Sequence, residues 1–420
     1  MKRFLLPIAA LLVCLAALNS CEKENYEENA TFTPYGLGTK MTKTQAKIAE
    51  GFNAFGLDLF RELNVGNSYK NAFFSPFSME NALLLAAAGE KESTQNYKEM
   101  MQVLGQAGQD REEVLGTYKM LLKGFESLDR ETTFSSANSA WVNSDFCPGG
   151  FSGKYESLVQ DYLGAELFKR SFSSEDVTSQ VNNWVEDKTA GKIPHLLNDV
   201  GNSSAVLVNA LLLDGGWSGI YFKEESNVLE FKGISGKKKV PSLGTVATLR
   251  ADENNDYQAC RFPIGNGNYA VTMIVPKKNF ERFVKSFDNG RWNSINGSLS
   301  TYEVTAHVPV FTESSTHEDK LIPALKKMGM TMAFGSGGYT EILDNGAPMT
   351  IGAIVQKAEM DFNKNGITAA AATAIKFFAS SSGYKPEYKE MTFNVDKPFI
   401  YIISETGSNT ILFTGIKSEM

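Results

Sequence analysis

The sequence predicts an α+β fold with largely antiparallel sheets in a single domain, because helical patterns crowd into the residues before about 190 and strand patterns dominate from about 205. The first helix is signalled by Thr42 or Thr44 as a cap and by Ile48, Phe52, Phe55, Leu59 and Leu63 at helical spacing. Further helical spacing covers 77–88, 92–104, 110–127, 151–163 and 175–190. The continuous apolar run at 205–213 suits a strand covered on both faces. At 301–310 the pattern alternates, with Tyr302, Val304, Ala306, Val308 and Val310 on one side and Thr301, Glu303, Thr305 and His307 on the other. Strand signals recur at 269–275, 350–362, 391–396, 398–404 and 410–416. Neither an internal repeat nor a Pro-rich break divides the chain, so one folded domain is expected over 44–420.

Composition narrows the functional classes. Of 420 residues, 42% are hydrophobic and 21% charged, with a formal net charge of −7. The one basic triplet, Lys237 to Lys239, reads as a solvated turn, which removes nucleic acid as a partner. Lys2 and Arg3, the apolar stretch 4–18 and Leu18-Asn19-Ser20-Cys21 form an export signal over 1–20, too short to span a bilayer comfortably. Its loss takes the net charge to −9. Residues 21–43 are acidic and then Pro- and Gly-bearing, a composition suited to a flexible tether. Outside the signal and Cys21, only Cys147 and Cys260 remain, too few for a disulfide framework and best read as buried or idle thiols.

Enzyme chemistry has little to stand on. The three histidines, His195, His307 and His317, have no second His or Cys at ligand spacing, so no metal or other cofactor is expected. Gly335-Ser336-Gly337-Gly338 is better read as a turn than as a protease serine loop. Gly216-Trp217-Ser218-Gly219 lacks the last glycine of a nucleophile elbow. Gly265-Asn266-Gly267-Asn268 suits a hairpin and lacks the helix that a phosphate loop requires. His307 falls on the polar side of its strand, where a structural role is the default.

Five segments resemble the serpin family, in order and across most of the chain. They are NAFFSPFSMENALLL at 71–85, NNWVEDKTAGKIPHLL at 182–197, VLVNALLLDGGW at 206–217, LKKMGMTMAF at 325–334, and DKPF at 396–399 followed by ILFTGI at 411–416. The resemblance implies a serpin fold of three β-sheets and eight or nine helices with one exposed reactive loop. It implies that a target protease cuts this loop, and that the cut loop inserts as a new strand into the largest sheet while the acyl-enzyme persists. It assigns sheet-opening roles, at the shutter and breach, to Ser75, Ser78, Asn209, Gln356 and Trp217. Gln356 stands where many members carry histidine, and Ser75, Ser78 and Asn209 are expected to bond with it. The 1–21 segment resembles a bacterial lipoprotein signal, in which Cys21 is acylated.

The loop itself lies in NKNGITAAAATAIKFF at 363–378. On propensity alone the alanine run would form a helix. Its two-residue alternation offers a strand instead, because Ile367, Ala369, Ala371, Thr373, Ile375 and Phe377 make a face without charge. Gly366 supplies a hinge, continued by Ile367, Thr368, Ala369, Ala370, Ala371, Ala372 and Thr373. Lys364, Asn365 and Ile367 depart from the family pattern. A family spacing of about fourteen residues from the hinge glycine puts the reactive bond at Ser380–Ser381, with Phe378 and Ala379 as alternates; this span corresponds to some 45 Å of inserted strand. The expected function is that of a suicide substrate for serine, and by extension cysteine, proteases with elastase-like or chymotrypsin-like pockets. A non-inhibitory carrier or binding lipoprotein is the alternative. The protein is expected to be a monomer, exported and held by lipid on the outer membrane of a Gram-negative bacterium, facing the periplasm or the surface.

Overall fold

Thr42 and Gln45 open the first helix by satisfying each other's free backbone donors: Thr42 Oγ1 accepts from the Gln45 N–H at 3.2 Å, and Gln45 Oε1 from the Thr42 N–H at 2.9 Å. The helix Lys43–Gly66 then buries Ile48, Phe52, Phe55, Leu59 and Leu63. In this computed structural model the described residues are 37, 41–66, 68–201, 203–225, 228–316, 318–335, 337–351, 354, 356–367 and 387–420. They belong to one unit, Pro34–Met420. The signal segment, Cys21 and the loop from Thr368 to Pro386 lie outside the described residues.

Pro76–Ala88, Gln95–Val103, Arg111–Leu128, Gly153–Leu163 and Val177–Lys188 fall where their spacing predicts. Ser75, Thr94, Asp110, Ser152 and Asp176 cap them, each accepting a bond from the first turn. Together with Phe280–Lys285, Asn289–Ser298 and Glu318–Met328, the described residues contain nine α-helices. The expected division into helices early and strands late is therefore too simple. Three helices interrupt the strand half, and Thr132–Asn143 and Ala165–Arg170 are strands within the helical half. Thr132–Asn143 escapes periodicity because it is buried on both faces over most of its length yet rich in Ser and Asn.

Three sheets organise the strands. The six-stranded sheet runs Phe311–Thr316, Lys357–Asn363, Gly366–Ile367, Ala205–Gly216, Thr132–Asn143, Ala165–Arg170. The nine-stranded sheet includes Ala72–Phe74 and Lys389–Asn394 at its ends, and Leu229–Lys232 pairs with Lys237–Val240 in a two-stranded ribbon. The lysine triplet is thus part of a strand rather than a turn, though exposed as expected, and Lys237 pairs with Glu230 at 2.8 Å. The main core lies around helices Lys43–Gly66 and Pro76–Ala88, and a smaller one lies between helix Val177–Lys188 and the central strands, around Trp141, Val181, Val185 and Val208.

Leu37, within the stretch read as a tether, is 7% exposed, and its N–H donates to Glu405 Oε1 at 3.3 Å. The packed domain therefore reaches back at least to this residue. Cys147 and Cys260 are buried and unbonded to each other, and burial pushes the Cys260 thiol far above its usual range. Gly265 to Asn268 form the turn between Tyr257–Ile264 and Tyr269–Pro276. No helix among the described residues is long and apolar enough to cross a membrane.

Candidate functional site: the hinge in the six-stranded sheet

The chain leaves strand Lys357–Asn363, reverses at Lys364-Asn365, and re-enters the same sheet as Gly366–Ile367. Gly366 pairs with Asn363 on one side and Gly216 on the other; Ile367 pairs with Phe362 and Gly215. Both pairings are antiparallel, so the first residues after the turn already lie between Lys357–Asn363 and Ala205–Gly216. The host is the six-stranded sheet and not the largest one, because Ser242–Glu253 pairs with both Tyr257–Ile264 and Ser300–Pro309 and fuses two layers into nine strands.

Gly366 is set by close approach as well as by freedom of rotation. A Cβ there would stand 2.1 Å from Gly215 O and 2.8 Å from Gly216 Cα. Ile367 is 1% exposed, so its apolar side chain anchors the hinge in the core. Trp217, directly after strand Ala205–Gly216, braces the turn: its Nε1–H donates to Asn363 O at 2.9 Å and its backbone N–H to Asn365 O at 3.2 Å, while its ring lies 4.9 Å from that of Phe362. Lys364 Nζ meets Glu224 Oε1 at 2.8 Å on the surface. That hydrogen bond holds the Glu224 carboxyl below, and the Lys364 ammonium above, their usual ranges. Asp214, beside the two glycines, is pushed up by burial, with Lys192 opposing.

Beneath the sheet, Gln356 makes a two-way amide bond with the cap of helix Pro76–Ala88. Its Oε1 accepts from the Ser75 N–H at 3.1 Å and its Nε2–H donates to Ser75 O at 2.7 Å. Ser75 Oγ donates to Leu412 O at 2.7 Å and accepts from the Ser78 N–H at 3.1 Å. Asn209 does not join this group. It faces Asn138 across the strand pair, its Nδ2 donates to Asn138 Oδ1, and its own Oδ1 has no partner among the described residues. The Gln356 amide meets Ser75 as expected, whereas Ser78 bonds Ser75 and Asn209 bonds Asn138, so the expected bonds from Gln356 to Ser78 and Asn209 are not made.

Asn138 and Glu80 were both missed from the sequence: a serine- and asparagine-rich strand carries no motif, whereas the lone acid in a largely apolar helix was a signal that could have found Glu80. His307 Nδ1 lies 2.6 Å from Glu225 Oε1, and Glu225 Oε2 accepts from Ser242 Oγ at 2.6 Å. With the acid between the other two groups, no hydroxyl is activated by the imidazole. Among the described residues no cluster of three or more His, Cys, Asp or Glu side chains can hold a metal.

Among the described residues, three sheets and nine α-helices, with a strand turning back into the middle of one sheet, define the class. Residues 50–419 match the family described as Serpin (serine protease inhibitor). The chain is 29% identical over 382 residues to Iripin-2 of Ixodes ricinus, covering 88% of this chain and 93% of that one. It is 28% identical to the leukocyte elastase inhibitor of Sus scrofa, covering 86% and 96%. The thyroxine-binding globulin complex with thyroxine superposes with a TM-score of 0.75 at 21% identity, covering 89% and 99%. This chain belongs to the serpin family.

Proposed function

We propose that this protein traps serine proteases as a suicide substrate. The target cuts the loop between Phe378 and Ser381, with Ser380–Ser381 as the preferred bond, and the freed segment from Thr368 onward extends the strand that Gly366–Ile367 begins. The observation that carries this reading is the hinge itself, since two of its residues already hold strand positions in the six-stranded sheet. The name of the porcine relative and the small side chains of Ala379 and Ser380 favour elastase-like enzymes. Cysteine proteases are secondary targets, and the protein itself turns over no substrate.

The test is incubation with elastase-like, chymotrypsin-like and trypsin-like enzymes, followed by denaturing electrophoresis. A covalent complex that survives SDS, and a released peptide starting at Ala379, Ser380 or Ser381, are expected. Clean cleavage without a complex would assign the chain to the carrier class. Export with acylation at Cys21 belongs to the same proposal. Cys21→Ser should abolish fatty-acid labelling and release the protein from membranes; unchanged labelling would refute the anchor.

A further inference from the structure

Helix Pro76–Ala88 is buried at every position except Ala82, and one of the buried residues is an acid. Glu80 is 1% exposed, and its Oε2 has no hydrogen-bond partner among the described residues. Neighbouring Asn81, fully buried, lies against the Tyr118 hydroxyl, yet neither of its side-chain polar atoms makes a hydrogen bond of good geometry. Tyr118, on helix Arg111–Leu128, is the ionisable group that faces Glu80; its hydroxyl donates to Phe77 O at 3.1 Å and its ring stacks on Phe77 at 4.7 Å. Among the described residues no lysine or arginine pairs with Glu80. With no cation paired to it, burial holds this carboxyl well above its ordinary range.

The position of this helix gives the acid leverage. Its cap is tied through Gln356 to the chain entering Lys357–Asn363, and its body packs on Ala205–Gly216. Those are the two strands that flank Gly366–Ile367, and they must part for the sheet to take in more of the loop. We propose that Glu80 is a pH-responsive latch on the widening of the six-stranded sheet: its protonated carboxyl suits the closed sheet, and its ionisation favours the widened one. The proposal rests on reading this sheet as the one that accepts the loop. Widening admits water to the buried face of the helix, where the carboxyl regains its ordinary acidity. A group that binds its proton more tightly in the closed state makes that state less favoured as pH rises from the ordinary carboxylate range towards its raised closed-state value. One proton shifts the balance by up to about tenfold per pH unit across that window.

The experiment is amide hydrogen exchange of Ala205–Gly216 and Lys357–Asn363 in the intact chain, comparing wild type with Glu80→Gln at matched pH between 5 and 9. The ratio of wild-type to variant exchange should climb with pH, by up to about tenfold per unit, because the intrinsic base catalysis of exchange cancels in the comparison. A ratio that stays constant with pH overturns the latch. Should Glu80→Gln fail to fold, Glu80→Ala supplies the same comparison under the same criterion. Protease trapping is scored separately on wild type. A rising ratio in a protein that traps no protease supports the latch while sinking the inhibitory reading.

Discussion

Gly366 has no room for a side chain, since its nearest neighbours are backbone atoms of the facing strand and cannot rotate away. Gly366→Ala should therefore lower stability by about 1–3 kcal/mol, the usual cost of overpacking, and loosen the hinge from the sheet. Thermal unfolding checks this, and an unchanged midpoint would show that the strands yield instead. Ala371 tests the same strand further along. Extending the two registers of Gly366–Ile367 into the cleaved form would set it opposite Leu211 and Ala358, both buried. Ala371→Arg should then force an unpaired charge among apolar groups at a cost of several kcal/mol, and convert an inhibitor into a substrate. The stoichiometry of inhibition reads this out; unchanged trapping would refute the register. Ile367 departs from the family pattern, yet it is buried, so its apolar side chain helps hold the two hinge residues in the sheet.

At the scale of elements, the helix Pro76–Ala88 and the hinge strand share one control point. Gln356→Ala would strip the buried Ser75 N–H of its partner, costing about 1–3 kcal/mol, while Ser75 O keeps the Met79 N–H at 3.2 Å. Loosening should appear first as faster exchange in the first turn of this helix, and equal protection in the variant would argue that water replaces the amide. The same register extension would bring Thr373 of the cleaved form between Gln356 and Asn209, whose Oδ1 awaits a donor. Thr373→Val should reduce the stability gained on loop cleavage by roughly 0.5–1.5 kcal/mol, one net hydrogen bond, while leaving the uncut protein unchanged. Calorimetry of cut and uncut forms measures both, and an equal gain in the variant would leave Asn209 without this partner. The elements differ in how plainly the sequence announces them. Pro76–Ala88 and Ala205–Gly216 were visible because long apolar runs have few alternatives, whereas Thr132–Asn143 was hidden because it buries polar side chains, some of them paired with distant groups such as Leu163 O, which accepts from Asn138 Nδ2 at 2.7 Å.

For the whole molecule, the proposed trap requires that the uncut form be less stable than the cut one. A single nick between Phe378 and Ser381 should add a ladder of strand hydrogen bonds, each contributing about 0.5–1.5 kcal/mol net, and raise the thermal midpoint steeply. A lower or equal midpoint after nicking would remove the energetic basis of the mechanism. An inserted segment of about fourteen residues at roughly 3.3 Å each spans about 45 Å, enough to carry an attached enzyme the length of a strand layer.

The family and the turn at Gly366 could be read from order and motif, because glycines, caps and apolar runs act through short stretches of chain that are complete in the sequence. The early helices were legible for the same reason: spacing and a capping side chain suffice. Other features depend on residues far apart in the chain. Gln356 chooses Ser75 over Asn209, Leu37 packs on Glu405, and two sheet layers fuse into nine strands through Ser242–Glu253. Glu80 shows the division most sharply. Its sequence neighbours mark it as an acid in a largely apolar helix, but only the tertiary packing leaves it 1% exposed, facing Tyr118 and with Oε2 unpaired among the described residues. Burial is a property of the assembled layers, and so is the raised proton affinity it brings.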